Sequence, residues 1–221
     1  MIFTIEGSIG VGKSTLLAQL STNVSFSKKH IVVLEPVDDW MKFKANPEDA
    51  ESLFEMYYKD PTKYGFSFQM MALQTRFENL ISMTQGTDAN TIIICERSFL
   101  TDYQIFAKML WRKKFITDIE MAVYKRWHAF ILDLIKPKIM GTIYLRAPPD
   151  VCAKRINTRN RKGEEDLDAD YLKDLHEAHD DWLLPTDSLI IDASGASIDL
   201  SAIVKYVEER LHACIGPVRG L

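Results

Sequence analysis

The chain has 221 residues, enough for one large α/β domain with a full core but too few for two of ordinary size. Its net charge of −4 argues against nucleic acid or a membrane surface as the main partner, since both attract basic proteins. Cys95, Cys152 and Cys214 show no metal-binding spacing, which argues against a disulfide framework or a zinc site. Without a recognisable leader or a membrane-length apolar run, we expect a single cytoplasmic domain over residues 1–221.

The first fifteen residues carry the strongest motif. A buried strand, Met1–Ile5, runs into a segment that fits the pattern G-x-x-x-x-G-K-[ST] at every fixed position. Backbone N–H groups of such a loop converge on phosphate oxygens, and its lysine adds a positive charge near the β- and γ-phosphates. The pattern therefore predicts a polyphosphate site formed by Gly7, Ser8, Ile9, Gly10, Val11, Gly12, Lys13, Ser14 and Thr15, in which the hydroxyl of Ser14 binds Mg²⁺.

Strands and helices alternate along the rest of the chain. Apolar runs rich in β-branched residues predict further strands at Ile31–Leu34, Thr91–Cys95, Thr142–Leu145 and Leu189–Asp192. Helical spacing and caps predict the helices. In the first half of the chain there is one from Lys13 to about Leu20, two between Pro47 and Gly86 that are separated at Pro61, and one from Ser98 to about Trp111. In the second half there is one from the capping box Thr117/Glu120 to Pro137, one after Pro149, one capped by Asp168 or Asp170, and one over Ile198–Leu211. This order predicts a three-layer, doubly wound, five-stranded parallel sheet with ligands at the carboxyl ends of its strands.

Acidic residues follow two of the predicted strands. Glu35 comes after the second strand, and Glu96 and Arg97 come after the third. Either carboxylate alone could be an ordinary turn residue. Because the phosphate loop opens at the same edge of the sheet, the pair predicts a site where carboxylates and phosphates meet.

Several motifs together resemble the deoxyribonucleoside kinase family. They are Glu35-Pro36-Val37 with Trp40, Tyr57-Tyr58-Lys59-Asp60-Pro61, Phe66-Ser67-Phe68-Gln69, Glu96-Arg97-Ser98, and the arginines Arg155, Arg159 and Arg161. The similarity runs from Ile2 to about Leu183. It implies a P-loop kinase fold and transfer of the γ-phosphoryl of ATP, or of another nucleoside triphosphate, to the 5′-hydroxyl of a deoxynucleoside. It also implies Mg²⁺ and a homodimer.

The resemblance assigns the reacting groups. It makes Glu35 the general base toward the 5′-hydroxyl, with Arg97 and Lys13 close to the transferred phosphoryl. The transition state of phosphoryl transfer is loose, so Glu35 orients the hydroxyl as much as it deprotonates it. Glu96 joins Ser14 on the magnesium side of the site, while the alternative for Glu96 is a buried partner of Arg97.

The arginine-rich segment at about 155–167 is open to two interpretations. Through the resemblance it is a lid that closes Arg155, Arg159 and Arg161 over the donor phosphates. Otherwise it is a solvated helix end whose arginines pair with the acids Glu164, Glu165 and Asp166. The family places a carboxylate from this segment on the sugar 3′-hydroxyl, and spacing favours Glu164 over Glu165 for that role.

The resemblance places the acceptor nucleoside among the middle helices. The implied contacts are Glu35, Trp40, Phe54, Tyr58, Phe68, Gln69, Ala72, Arg76, Arg97, Asp102, Phe106 and Glu164. Tyr58 binds the 3′-hydroxyl, Gln69 pairs with the base edge, and aromatic rings sandwich the base. Arg76 with Asp102 implies deoxycytidine or purine deoxynucleosides, because an aspartate suits an exocyclic amino group and repels thymine O4. A structural ion pair between these two residues is compatible with that assignment.

Other interpretations remain at this point. Thymidylate kinase shares the loop, the fold and the lid arginines but phosphorylates a monophosphate. The kinase-like subunit of respiratory complex I shares the fold without a known need for catalysis. The apolar helices over Ser98–Trp111 and Thr117–Ile135 suit a dimer interface, although core packing also explains them. The five histidines show no metal spacing and are assigned capping, core or surface roles.

Overall fold

A five-stranded, all-parallel sheet forms the centre of the molecule. The computed structural model describes residues 1–88, 90–135, 139–164 and 167–214. The strands are β1 Ile2–Glu6, β2 His30–Val33, β3 Ile92–Glu96, β4 Ile139–Arg146 and β5 Leu189–Asp192, in the order β2-β3-β1-β4-β5. Each neighbouring pair is parallel, which confirms the predicted sheet.

Helices cover both faces of the sheet. They are α1 Lys13–Asn23, α2 Val37–Lys42, α3 Leu53–Lys59, α4 Pro61–Thr84, α5 Phe99–Thr101, α6 Lys108–Arg112, α7 Asp118–Ile135, α8 Pro149–Arg159, α9 Ala169–Leu183 and α10 Leu200–Cys214, and a π-helical segment, Asp102–Ala107, joins α5 to α6. Alternate residues of β3 pack into two different cores: Ile93 joins the residues of α2–α4, α6 and α7, and Ile94 joins those of α1 and α10. Within the described ranges, no helix has both the length and the apolarity needed to cross a membrane.

The structure corrects several predicted boundaries. Helix α1 extends three residues past Leu20. Strand β4 has eight residues rather than the predicted four, because Met140 and Gly141 interrupt the β-branched and aromatic run that marks its centre. The ring of Tyr206 lies against Gly141, where a Cβ atom would be 2.8 Å from the tyrosine hydroxyl. Helix α2 was not predicted, since six residues are too few to show a helical period. The predicted stop at Pro137 lies outside the described residues.

Two predicted caps are confirmed. Thr117 and Glu120 form the capping box that begins α7: the Thr117 N–H lies 2.7 Å from Glu120 Oε2, and the Glu120 N–H lies 3.3 Å from Thr117 Oγ1. Asp168, and not Asp170, caps α9, because its carboxylate accepts from the Asp170 N–H at 3.2 Å. These caps fix the starts of two helices that border the cavity and the exposed face described below.

Two glycines of the phosphate loop differ in what surrounds them, which gives a test of the loop's packing. Both have positive φ, 77° at Gly10 and 108° at Gly12. A Cβ atom on Gly10 would lie 2.6 Å from Cys152 O and 2.7 Å from Ile156 Cγ1, whereas Gly12 has open space. We expect Gly10→Ala to lower the free energy of unfolding by about 1–3 kcal/mol more than Gly12→Ala does. Urea denaturation of both variants measures the difference, and equal losses would show that backbone strain alone requires glycine here.

Candidate active site

A cavity of about 1110 Å³ opens where β1, β2 and β3 end. Its walls contain every predicted nucleoside contact: Glu35, Trp40, Phe54, Tyr58, Phe68, Gln69, Ala72, Arg76, Arg97, Asp102, Phe106 and Glu164. The predicted phosphate-loop residues from Ile9 to Thr15, Glu96 and the three lid arginines also line it. Gly7 and Ser8 are buried and do not line the cavity. The structure thus brings nearly all predicted site residues to one place.

Lys13 lies at the phosphate end of this cavity. Its side chain is buried, and Nζ donates to Gly7 O at 3.2 Å and to Ser8 O at 3.0 Å. Burial and the nearby charge of Arg97 lower the pKa of Lys13 to about 8, although the surrounding glutamates oppose that fall. A phosphate beside Lys13 would favour the charged form. The loop therefore holds a cation ready for a polyphosphate.

Ser14 and Glu96 meet at the edge of the phosphate loop. The Ser14 hydroxyl lies 3.2 and 3.1 Å from the two carboxylate oxygens of Glu96. A hydroxyl and a carboxylate beside a phosphate site are the oxygen donors that Mg²⁺ prefers, and they leave room for water and phosphate ligands. The residues present therefore fit a magnesium ion. Arg97, the alternative partner of Glu96, lies beside Glu35, with its Nε 3.2 Å from Glu35 Oε1.

Arg97 occupies a strained turn directly after β3. Its φ is 63°, a conformation that non-glycine residues rarely adopt. The Arg97 N–H donates to Ile5 O at 3.0 Å, and Ser98 with Thr101 forms a capping box on the next turn. The Thr101 hydroxyl in turn donates to the buried carboxylate of Glu6 at 2.5 Å. The surrounding bonds stabilise this conformation and direct the guanidinium into the cavity.

Glu35 lies between two guanidinium groups. Arg76 Nη2 is bonded to Glu35 Oε1, and Arg97 Nε lies 3.2 Å from the same oxygen. Burial would raise the pKa of Glu35, but the charges of Arg76, Arg97 and Lys13 outweigh it and lower the pKa to about 2. Glu35 is therefore a carboxylate at any working pH. It can accept a hydrogen bond from an alcohol, and its low basicity makes it better suited to orientation than to deprotonation.

Aromatic rings surround the opposite end of the cavity. Trp40 and Phe54 are nearly parallel, with ring centroids 6.4 Å apart, and Phe68 meets Trp40 edge-on at 5.4 Å. Gln69 is buried beside them on α4. Phe106, predicted as part of the base wall, lies under the guanidinium of Arg97 at 4.9 Å. The result is an apolar slot with an amide at its edge, which suits a planar base.

Asp102 supplies the other polar group at this end. Its Oδ1 accepts from Arg76 Nε at 2.9 Å, which confirms the ion pair, while its Oδ2 is buried without a hydrogen-bond partner in the described structure. Burial raises the pKa of Asp102 to about 6 against the opposing charge of Arg76, so the group is ionised near neutral pH. Asp102 begins the π-helical segment, a type of segment frequent at functional sites.

Described residues of the arginine-rich segment, Arg155, Arg159, Arg161 and Glu164, line the cavity. Glu164 is buried, is bonded to Arg159, and lies 3.2 Å from Arg161 Nη1. Lys162 pairs with Glu55 of α3 at 2.6 Å. Glu165 and Asp166 lie outside the described residues. Of the acids predicted to contact the sugar, the structure therefore describes only Glu164.

Arg155 departs from its predicted role. Its guanidinium donates to the backbone carbonyls of Val11, Ala193, Ser194 and Gly195, at distances from 2.8 to 3.4 Å. It therefore ties the phosphate loop to the loop that follows β5. Of the three arginines, Arg159 and Arg161 are paired with an acid, Glu164.

Two residues near the site were not predicted to have a function. Tyr171 of α9 lines the cavity, and its hydroxyl is buried. His179, about two turns further along α9, is fully buried and lies near Arg97. Sequence reasoning assigned neither residue to the site, because no local motif marks them and only the packing of α9 brings them there.

Comparison with known proteins identifies the family. The family model of the deoxynucleoside kinases matches residues 3–212. The chain belongs to the deoxynucleoside kinase family. A probable deoxycytidine kinase of fowlpox virus (strain NVSL) is 36% identical over 180 residues, which cover 81% of this chain and 70% of the relative.

Vertebrate members of the deoxynucleoside kinase family are also similar to this chain. Deoxycytidine kinase 2 of Gallus gallus is 32% identical over 195 residues, covering 81% of this chain and 72% of the relative. A mitochondrial deoxyguanosine kinase of Xenopus laevis is 30% identical over 193 residues, with the same coverage. The predicted resemblance is confirmed, and with it the expectation of an enzyme that phosphorylates deoxynucleosides with a nucleotide donor.

Proposed function

We propose that this enzyme transfers the γ-phosphoryl of ATP, or of another nucleoside triphosphate, to the 5′-hydroxyl of a deoxynucleoside whose base carries an amino group. Deoxycytidine is the first candidate, and purine deoxynucleosides are companions. The observations that carry this choice are that Asp102 lines the cavity and that its buried Oδ2 has no hydrogen-bond partner among the described residues.

Base selection follows from the groups at the edge of the aromatic slot. A buried carboxylate oxygen without a partner costs free energy, and an exocyclic N–H₂ satisfies it. Thymine O4 would meet the same oxygen with repulsion. Arg76 fixes the carboxylate by bonding its other oxygen, and Gln69 adds an amide that can both donate and accept. Relatives named deoxycytidine and deoxyguanosine kinases support the choice.

The chemistry assigned to the phosphate end of the cavity is mainly alignment of the two reactants and neutralisation of phosphate charge. Glu35 accepts a hydrogen bond from the 5′-hydroxyl, directs its oxygen at the γ-phosphorus, and takes its proton as the new O–P bond forms and the bond to the leaving nucleoside diphosphate breaks. Arg97 and Lys13 neutralise charge on the transferred phosphoryl, and Arg159 and Arg161 act on the donor phosphates. Because the transition state is loose, strong base catalysis is not needed. The lowered pKa of Glu35 therefore agrees with this role.

Ser14 and Glu96 would hold Mg²⁺. When bound, this ion neutralises phosphate charge and orients the donor. The protein's part is the hydrogen bond between the Ser14 hydroxyl and the Glu96 carboxylate, which keeps the two side chains together beside the loop.

Sugar recognition is proposed for Tyr58 and Glu164. Burial first, and then the neighbouring Tyr57 and Glu164, raise the pKa of Tyr58 well above its usual value. Its hydroxyl is thus a neutral donor and acceptor, and it lines the same cavity as the Glu164 carboxylate, which suits the 3′-hydroxyl of a deoxyribose. Residues at about 155–167 act as a lid within one kinase domain over residues 1–221.

A phosphoryl-transfer panel tests the proposal. The four deoxynucleosides are supplied as acceptors with Mg²⁺ and either ATP or UTP, and the monophosphate products are quantified. We expect the highest kcat/KM with deoxycytidine and the lowest with thymidine. Thymidylate as acceptor is the control for a monophosphate kinase. Transfer to thymidylate in preference to nucleosides, or donor binding without any transfer, would refute the proposed function.

We also propose a homodimer through helix α7. Five apolar side chains follow one face of this helix and are 39–71% exposed: Ile119, Val123, Trp127, Phe130 and Leu134. An apolar stripe of this length is costly in water and is typical of an interface between subunits. Together with the family assignment, this apolar stripe favours a second copy of the chain as the partner.

The dimer is tested by charging this stripe. The double variant Trp127→Glu and Phe130→Glu is expected to weaken self-association at least tenfold, since two buried carboxylates would lack partners in the interface. Sedimentation velocity measures the effect. Lys125→Glu changes the net charge equally on another side of the helix and is expected to leave the dimer intact. A monomeric wild-type chain would contradict the proposal.

A reducing compartment, the cytoplasm, is proposed for the enzyme. Cys95 and Cys152 are buried free thiols. Burial raises the pKa of both thiols, which keeps them protonated and unreactive. Such thiols are typical of proteins that fold without disulfides.

A further inference from the structure

His179 has a fixed tautomer. Its Nδ1 lies 2.6 Å from Leu175 O, and a carbonyl only accepts, so Nδ1 carries the hydrogen and Nε2 is the acceptor. The imidazole lies parallel to the ring of Tyr144, with centroids 6.1 Å apart, and the Tyr144 hydroxyl donates to Asp180 at 2.7 Å. The ring is therefore held in one orientation by its own helix and by β4.

The acceptor nitrogen of this ring faces Arg97. His179 Nε2 lies 3.5 Å from Arg97 Nη1, and the same Nη1 donates to Gly7 O at 2.9 Å. Phe106 supports the guanidinium from a third side. Burial, followed by the charge of Arg97, lowers the pKa of His179 to about 3, so the imidazole stays neutral and can accept. A charged imidazole here would repel Arg97.

We infer that His179 is a positioning residue for phosphoryl transfer, whose neutral ring holds the guanidinium of Arg97 between the phosphate loop and Glu35. The inference rests on the proposed role of Arg97 in catalysis. Arg97 starts from a strained backbone, and its side chain is long, so a fixed guanidinium requires contacts from other elements. Helix α9 supplies one of these contacts through His179.

A double-mutant cycle tests this role. His179→Phe keeps a ring against Tyr144 but removes the acceptor, and we expect kcat to fall about tenfold with the deoxynucleoside KM changed less than about twofold. His179→Gln retains an acceptor oxygen and is expected to recover most of kcat. In the Arg97→Met background, His179→Phe is expected to cost less than about twofold, because methionine has no donor and the interaction is already lost.

The outcomes separate the possible explanations. An equal tenfold loss in both backgrounds, or a change confined to KM, would overturn the inference and leave His179 a packing residue. His128→Leu is the matched control, since this buried histidine bonds Phe99 O instead and its effect should be equal in both backgrounds. Should His179→Phe fail to fold, His179→Leu enters the same cycle. A wild-type chain without any deoxynucleoside transfer would refute the proposed function, whereas an active wild type with an additive cycle refutes only this inference.

Discussion

Glu35→Gln is expected to lower kcat about 10³-fold while leaving the deoxynucleoside KM within about threefold of wild type. Glutamine keeps the size of the side chain but removes the charge that Arg76 and Arg97 share. The 5′-hydroxyl then loses its anionic acceptor, whereas the base keeps Gln69 and Asp102. Steady-state kinetics with the best acceptor measures both parameters.

Glu35→Asp is the matched control. It retains the charge on a shorter side chain, so it should keep a larger share of kcat than the glutamine variant. If the two variants lost kcat equally, position rather than charge would be decisive. A glutamine variant with wild-type kcat would remove Glu35 from the mechanism.

The pH dependence of kcat follows from the lowered pKa of Glu35. Because the pKa lies at about 2, the ionised form predominates above that value and is lost only as the pH falls toward it. Glu35 should therefore produce no acid limb between about pH 5 and 8, and Glu35→Gln should lower the pH–kcat profile without changing its shape. An acid limb in this range that disappears in the variant would show that the pKa of Glu35 in the enzyme–substrate complex is raised above that of an ordinary glutamate, against this prediction.

The second large effect is a change of base preference. Replacing Arg76 with methionine and Asp102 with alanine together is expected to raise the ratio of thymidine to deoxycytidine kcat/KM about 10²-fold. The change removes the acceptor for the amino group and opens space for the thymine methyl. Both residues are replaced because Asp102 would otherwise remain as a buried, unpaired carboxylate.

The ratio is the quantity to measure, since Arg76 also contacts Glu35 and overall turnover will fall. A ratio taken on one enzyme cancels that loss. Gln69→Ala is the control: it removes the amide that faces either base, so it should weaken both nucleosides with little change in the ratio. An unchanged ratio in the double variant would refute the assignment of Asp102 to the amino group.

The sequence was sufficient for the architecture because its strongest signals are local. Glycines, lysine and serine at fixed spacing identify a phosphate loop, and the β-branched runs at β2, β3 and β5 mark buried parallel strands. Parallel pairing then brings Glu35 and Glu96 to one edge without further information. The ion pair that was considered as the structural role of Arg76 and Asp102 is present.

What the sequence did not reveal depends on packing between distant segments. Arg155 was expected over phosphates, but its donors meet four backbone carbonyls whose positions no local pattern encodes. The same applies to His179, which reaches Arg97 only because α9 packs beside the phosphate loop. The π-helical turn at Asp102 is a local widening of a helix that otherwise has an ordinary apolar period.

The most direct test is a crystal structure of the chain with deoxycytidine and a non-hydrolysable ATP analogue. The central claim is that the carboxylate of Glu35 receives the primary alcohol of the sugar while Asp102 receives the amino group of the base. We expect the 5′-oxygen within about 2.6–3.2 Å of Glu35 and in line with the γ-phosphorus, with the cytosine amino group on Asp102 Oδ2. A nucleoside bound elsewhere, or one whose 5′-oxygen points away from Glu35, would contradict the account.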